Sequence, residues 1–484
     1  MLNRHLIAYL PVYAAQALVG FGAIAVFTRI LTPEEYGRYV LLFAAASLAG
    51  TLVFTWIDAA VARHHARAAA RGRLAGHLFT AARLYLIIAL PAIGLGAAAI
   101  ALLPFEPALR AAAGFALAHT IIRSGLSLCL ESRRAGGQAW RYSLIETFTL
   151  SAGFALGVIF VAAGGLGAAG PFAGMALAGA IALVIDAPVL FSRARRDRAD
   201  APRAAAFLAY GGPVAVSLIF EGLLSTGDRF VIAALLGEAS TGAYAAGYAL
   251  ADRSLSIVFL WLGTTTAPLL VLALENHGRA AAQDVARRTA GLMALIGFPA
   301  AAGLALVAEP AAHLLIGAEI AGPAAGIVPW IALSGLMNGL MTFYFHEAYT
   351  LGRKPRLMAL VMSGAAALNL VLNLILTPRF GIEGAAASTV LAYAAALTIC
   401  AVHGRRIFPL PIPVSAWARA AAATGVMALA VTAVPSTGPA LAVLLFKMAA
   451  GAGVYAMAAL ALDAGGCRAL LGGLVRPPAK EAQA

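Results

Sequence analysis

The stretch "GDRFVIAALLGEASTGAYAAGYALADRS", residues 227–254, is apolar except for an Asp-Arg pair near each end and a polar turn between them. Asp228 lies twelve residues before Ser240, in the middle of the turn, and Asp252 lies twelve residues after it. An α-helix rises ~1.5 Å per residue, so a helical hairpin here carries both pairs about 18 Å from its turn. That is near the midplane of a hydrocarbon layer ~30 Å thick. Four charges facing lipid at that depth would cost on the order of 10 kcal/mol, so they must face protein or water.

The rest of the chain says why lipid is the right solvent to consider. Of its 484 residues 62% are hydrophobic and only 11% charged, and the mean hydropathy is +0.88. No soluble fold hides that much apolar surface. Fourteen spans are expected, at 6–31, 39–61, 78–103, 109–130, 142–163, 166–191, 206–236, 243–272, 289–308, 325–350, 357–377, 382–403, 415–434 and 438–462. Rich in Ala, Leu and Gly and without the alternation of barrel strands, they read as helices, so the fold class is all-α and polytopic. The first span lacks a cleavage site and is read as retained rather than as a signal peptide.

Basic residues fall on one side. With the N-terminus cytoplasmic, Arg4, the connections "RHHARAAARGR", "ESRRAGGQAWR", "SRARRDRADAPR", "HGRAAAQDVARR", "LGRKPR" and "HGRR", and the tail hold 24 of the 34 Lys and Arg. Both termini are therefore expected in the cytoplasm. The net charge of +13 reports topology and contact with anionic lipid rather than nucleic acid, because it is spread over separate loops. Cys129, Cys400 and Cys467 are scattered and suggest neither a disulfide framework nor a metal site. His64 and His65 have no third donor at helical spacing, and no cofactor is expected.

The sequence repeats itself. "RILTPEEYGRY" aligned on "ALLGEASTGAY" matches Leu31 with Leu236, Gly37 with Gly242 and Tyr39 with Tyr244 at an offset of 205. Gly137 and Arg141 answer Gly352 and Arg356 at 215, and Gly167 and Gly170 answer Gly381 and Gly384 at 214. Each half has six spans, an even number, so the halves share one orientation. The expected organisation is a six-helix lobe at 1–203, a second at 204–405, two additional spans within 406–463 and a tail at 464–484, with the basic loop from Ser192 to Ala205 as the boundary.

Helical phase brings out polar stripes on the first two spans of each half. Tyr9, Tyr13, Gln16 and Gly20 share a face of span one, and Ser47, Thr51, Thr55 and Asp58 a face of span two. Ser217, Glu221, Ser225 and Asp228 do so on span seven, and Tyr244, Tyr248, Asp252 and Ser256 on span eight. Stripes of small residues alone usually mean close helix packing; acids and tyrosines among them point to a hydrated cavity between the halves. Asp228 could bridge to Arg253 and Arg229 to Asp252 simply to neutralise buried charge. An Arg so held can also be released to a phosphate, and its freed carboxylate can take a proton or Na⁺. Arg123 and Glu146 are further charges within spans and could serve only to pin helices.

"RILTPEEYGRYVLL", "YGGPVAVSLIFEGLLSTGDRFVIAALLG", "GAYAAGYAL" and "NLVLNLILTPRFGIEGAAASTVLAY", in that order, resemble the Wzx-type polysaccharide (O-antigen) flippases of the multidrug/oligosaccharidyl-lipid/polysaccharide exporter superfamily, over most of residues 1–405. The resemblance implies two six-helix lobes around a cavity that opens alternately to either side of a bacterial inner membrane. It implies flipping of an undecaprenyl-diphosphate-linked oligosaccharide, an O-antigen or exopolysaccharide repeat unit, from the cytoplasmic to the periplasmic leaflet. On that basis the substrate-binding candidates are Arg229, Arg253, Arg123, Arg29, Tyr248, Tyr13 and Gln16, and the ion-coupling candidates Asp228, Asp252, Glu221 and Asp58. The implied partners are the lipid-linked substrate, membrane lipids, H⁺ or Na⁺, a polysaccharide polymerase and a chain-length regulator. The runner-up is a cation-coupled drug antiporter of the same superfamily. A membrane glycosyltransferase or polymerase is disfavoured, because the longest outward loop, near Glu309 to Pro323, is short and offers only Glu309 and Glu319. No phosphate-binding G-x-x-x-x-G-K-[ST] occurs, which argues against ATP hydrolysis by this chain.

Overall fold

A computed structural model describes residues 2–192 and 201–468. Most of the basic loop between the expected lobes, and the tail beyond Arg468, lie outside the described residues. Within them, twelve helices are long and apolar enough to cross a membrane. Two of these are broken by a glycine in the left-handed region, Gly278 (φ 79°) and Gly381 (φ 63°). Splitting the helices there gives fourteen segments, and the chain is an all-helical, multi-pass membrane protein.

Contacts gather into two units, residues 1–245 and 246–484. The first comprises α1 (Leu2–Ile30), α2 (Pro33–Val53), α3 (Thr55–Ala70), α4 (Leu74–Leu102), α5 (Pro107–Ala135), α6 (Ala139–Ala162), α7 (Ala169–Phe191), α8 (Ala201–Leu236) and the first turns of α9 (Glu238–Leu306). Local chemistry fixes the start of α2. The Thr32 hydroxyl accepts the Glu35 N–H at 3.2 Å and the Glu35 carboxylate accepts the Thr32 N–H at 3.0 Å, with Pro33 in the first turn, a reciprocal cap that satisfies two otherwise unpaired donors. Inside the helices, Thr28, Thr80, Thr120 and Thr149 each donate to the carbonyl one turn back, at 2.6–2.8 Å. Such bonding satisfies a hydroxyl within the helix that carries it.

Small residues set the helix spacing, as lipid-embedded packing requires. A Cβ on Gly174 of α7 would overlap Gly153 and Gly157 of α6, and one on Gly211 of α8 would overlap the Trp56 carbonyl of α3. The tightest approach joins the two turns that the sequence pairs as repeats. A Cβ on Gly37 would run into the Glu238 carbonyl, and one on Gly242 would meet the Pro33 carbonyl and the Gly37 nitrogen. Next to this contact Arg38 donates to Glu238 at 2.5 Å and reaches Glu106 at 3.1 Å. At its other end the unit is tied by Asp186 of α7, 1% exposed, which accepts from both Arg133 and Arg141.

The second unit continues α9 and adds α10 (Ala308–Leu315), α11 (Ala318–Leu340), a π-helical turn at Met341–Phe345, α12 (Glu347–Leu351), α13 (Pro355–Ile407), α14 (Val414–Ala433) and α15 (Ala440–Leu462). The two additional spans, α14 and α15, pack on the last part of α9. The Trp417 indole donates to the Ala290 carbonyl at 2.9 Å, the Tyr455 hydroxyl donates to the Leu295 carbonyl at 2.5 Å, and Ala294, Ala420, Ala423 and Ala459 form the apolar seam. On α13 a buried ladder of Asn369, Asn373, Thr377 and Thr389 bonds within itself.

Candidate functional site

Inside the first unit is a cavity of about 420 Å³, lined by α1, α2, α3, α5, α6 and α7. The four-residue stripe read from span two, Ser47, Thr51, Thr55 and Asp58, lines it in full. That span is not one straight helix. It breaks at Phe54 (φ −119°, ψ −31°), where α2 gives way to α3, and the Trp56 indole closes the joint by donating to the Val53 carbonyl at 2.9 Å. Pro33 to Val53 is the apolar part, whereas α3 carries Asp58 at one end and His64, His65 and Arg67 at the other.

Opposite this stripe, α5 presents His119, Arg123 and Ser127 at steps of four, on one helical face. The Ser127 hydroxyl donates to Asp58 at 2.8 Å. Arg123 makes a two-pronged bridge to Glu146 of α6, Nη1 to Oε2 at 2.8 Å and Nη2 to Oε1 at 2.9 Å. The two partners differ sharply in access: the Arg123 side chain is 39% exposed and that of Glu146 only 5%. The carboxylate thus anchors a guanidinium whose remaining face is open to the cavity. His119 Nδ1 is buried without a hydrogen-bond partner.

The far wall is aromatic. Phe27 lies 5.6 Å from both Tyr39 and Phe154, and Tyr39 lies 5.3 Å from Phe172, between ring centroids. The cavity therefore has a charged and hydroxyl-rich side against an apolar one. Once Arg123 and Glu146 cancel, Asp58 is the one unbalanced acid among the lining residues.

The second Asp-Arg site is built differently. Asp228 is 1% exposed. Its carboxylate accepts the Tyr244 hydroxyl and, at 2.9 Å, the Arg229 N–H. The Arg229 side chain, 11% exposed, donates to the Ser225 carbonyl at 2.9 Å and stands 3.9 Å from the Asp228 carboxylate. Where the sequence turned Asp228 toward water, the structure closes it in this conformation with a tyrosine that arrives through the polar turn. Of the other candidates in the first unit, Tyr13 is 56% exposed, Gln16, Glu221 and Arg29 are exposed, and Arg29 donates to the Ala25 carbonyl at 2.5 Å. In the second unit Tyr248 is buried, Asp252 and Arg253 are partly exposed, and Arg253 Nη1 is buried without a hydrogen-bond partner.

The structure thus brings Asp58 and Arg123 into one cavity, pairs Arg123 with Glu146, which the sequence marks as a weaker candidate, and adds His119 and the aromatic wall, which were not candidates. Glu146 had a legible signal, being the sole acid in its expected span at 142–163.

The sequence pattern of the polysaccharide biosynthesis protein family matches residues 26–321. No curated protein matches. Among solved structures, lipid II flippase MurJ in its inward closed conformation is similar at a TM-score of 0.77 and 10% identity, over 96% of this chain and 100% of that one. An inward-facing multidrug resistance MATE family transporter of the MOP superfamily is similar at 0.69 and 14% identity, over 81% and 95%. An outward-facing one is similar at 0.59 and 17%, over 84% and 94%. At such identities the likeness is one of fold.

Proposed function

Because the chain belongs to the family of polysaccharide biosynthesis proteins, we propose that it flips an undecaprenyl-diphosphate-linked oligosaccharide, an O-antigen or exopolysaccharide repeat unit, from the cytoplasmic to the periplasmic leaflet by alternating access. Its place would be the bacterial inner membrane with both termini in the cytoplasm, the chain being organised as six-helix lobes at 1–203 and 204–405 with two additional spans after them. A lipid diphosphate cannot cross unaided, since its charges and sugar hydroxyls would have to enter hydrocarbon. A cleft with guanidinium forks for phosphate and hydroxyls for sugar removes that barrier.

The observation that carries the reading is the asymmetric Arg123–Glu146 bridge, a buried acid presenting a half-open guanidinium to a polar cavity. Phosphate oxygens compete for that fork as a carboxylate does. Arg229, Arg253, Arg29, Tyr248, Tyr13 and Gln16 are proposed as further substrate contacts. Those now buried would engage only after rearrangement. Asp58 is proposed as the coupling acid, taking H⁺ or Na⁺, with Asp228, Asp252 and Glu221 as further members of that set. A polysaccharide polymerase and a chain-length regulator would receive the product. One observation favours the runner-up, a cation-coupled antiporter: the unbalanced Asp58 suits a cationic ligand as well as a coupling ion.

The test is flipping of a labelled polyprenyl-diphosphate oligosaccharide in proteoliposomes. Arg123→Lys keeps the charge but loses the fork, and should slow flipping about tenfold or more. Wild-type rates for that variant, or ethidium efflux without lipid flipping by the native protein, would remove the flippase reading.

A further inference from the structure

Beyond the lining of the cavity, on the same faces of α1, α5 and α6, lie three tyrosines and an ion pair. On α1 the cavity-lining Phe27 and Ala23 are followed, at steps of three and four, by Gly20, Gln16, Tyr13 and Tyr9. Of the exposed apolar residues of that helix, Ile7 and Leu18 fall on the opposite side of the helical wheel. Tyr13, at 56% exposure, stands on the wheel between Leu10 and Gln16.

α6 repeats the pattern, with Tyr142 one turn before Glu146 and Trp140 and Leu144 exposed on the other side. α5 supplies Glu131 and Arg134, on the face that carries Arg123 and Ser127. Tyr9 lies 6.4 Å from Tyr13 at 41° and 5.6 Å from Tyr142 at 59°, between ring centroids. The rings are tilted rather than stacked face to face, which leaves ring faces uncovered. Arg134 donates to Glu131 through Nε at 3.0 Å and Nη2 at 2.6 Å.

Charge bookkeeping decides what such a surface suits. Each carboxylate along it, Glu131 and Glu146, has a guanidinium at hydrogen-bond distance. The trough offers donors, acceptors and ring faces but no net charge. A lipophilic cation would want an uncompensated acid here. A neutral, hydroxyl-rich ring with one apolar C–H face does not, and the tilted tyrosine rings beside the ion pair suit it.

We propose that Tyr9, Tyr13, Tyr142, Gln16 and the Glu131–Arg134 pair form a carbohydrate-binding trough that holds uncharged sugar rings of the substrate beyond the phosphate-binding cavity. Sugar faces lie on the tyrosines, and hydroxyls bond to the amide and the ion pair. This rests on the flippase reading and adds to it a separate site for the glycan, so that sugar and diphosphate are held by different residues.

The experiment is saturation-transfer NMR on the full chain in nanodiscs, using soluble tri- to pentasaccharides of neutral and N-acetylated hexoses as probes, and pyrophosphate and tetraphenylphosphonium as comparators. At least one sugar should receive saturation from the native protein. Tyr9→Ala and Tyr142→Ala should weaken it about three- to tenfold, while Tyr9→Phe and Tyr142→Phe, which keep the rings and report on folding, retain it. Pyrophosphate binding should be unchanged in all four. The trough is disproved by an absence of transfer from the native protein to any sugar, by sugar binding that survives both alanine variants, or by tetraphenylphosphonium taking the sugar's place at these residues. Sugar binding with no lipid flipping in proteoliposomes would leave the trough standing and remove the transport reading.

Discussion

Two acid-arginine sites share the first unit, and each solves the problem of charge in lipid in its own way. At Arg123 the acid is buried and the base is half open, so the pair holds a guanidinium ready for another anion. At Asp228 both partners are closed in: the acid is 1% exposed and bonded to a tyrosine hydroxyl and a backbone N–H, while its arginine turns to a carbonyl one turn back. The same two residue types thus make a poised ligand site and a sealed one. The difference lies in what stands between the charges and the cavity, not in the charges.

Arg123→Ala should give the largest change in stability. It strands the buried Glu146 and should cost about 3–5 kcal/mol, read as a drop in thermal midpoint in detergent or nanodiscs. Adding Glu146→Leu should restore most of that loss, because removing both members of a buried pair is often nearly neutral. A double variant as unstable as the single one would mean that the carboxylate has no role as anchor.

Asp228→Ala should cost less, about 1–3 kcal/mol, since it orphans the Tyr244 hydroxyl and one backbone N–H while the Arg229 guanidinium keeps its bond to the Ser225 carbonyl. Tyr244→Phe, which removes the donor alone, should cost about 0.5–1.5 kcal/mol. If Asp228→Ala proves as damaging as Arg123→Ala, the contrast between poised and sealed sites collapses.

Asp58→Asn should shift stability by no more than about 1 kcal/mol, because Ser127 still has an acceptor there. Its effect belongs in the pH or Na⁺ dependence of transport. A large stability change with an untouched pH profile would reassign it to structure. The smallest effect concerns the distal end of α3, where burial holds His64 and His65 below the ordinary imidazole value, for His64 with help from Arg63 and Arg67. A base depressed in the folded state resists protonation there, so stability is full above the unfolded value of about 6.5 and falls as pH drops through it. The thermal midpoint should therefore be lower at acid pH than at pH 7.5, by less in His65→Gln than in the native chain.

Much of this was legible in the residues. In so apolar a chain, hydroxyls and one acid at helical spacing stand out, and the stripe from Ser47 to Asp58 proved to line the cavity at every position. The breaks at Gly278 and Gly381 were legible as short polar or glycine-bearing gaps between expected spans. The closure of Asp228 was not, because periodicity records which side a residue faces and not which neighbour covers it; Tyr244 is sixteen residues away and reaches it only through the fold. The two-pronged grip of Glu146 on Arg123 was likewise beyond reach, since both stood out only as isolated charges. The break at Phe54 gave no warning at all, having neither glycine nor proline.

The meeting of Gly37 and Gly242 has its own consequence. They hold matching places in the two turns that the sequence pairs at an offset of 205, and each leaves just enough room for the opposing main chain. Bulk gained at either one must therefore be answered by a retreat of the chain that faces it.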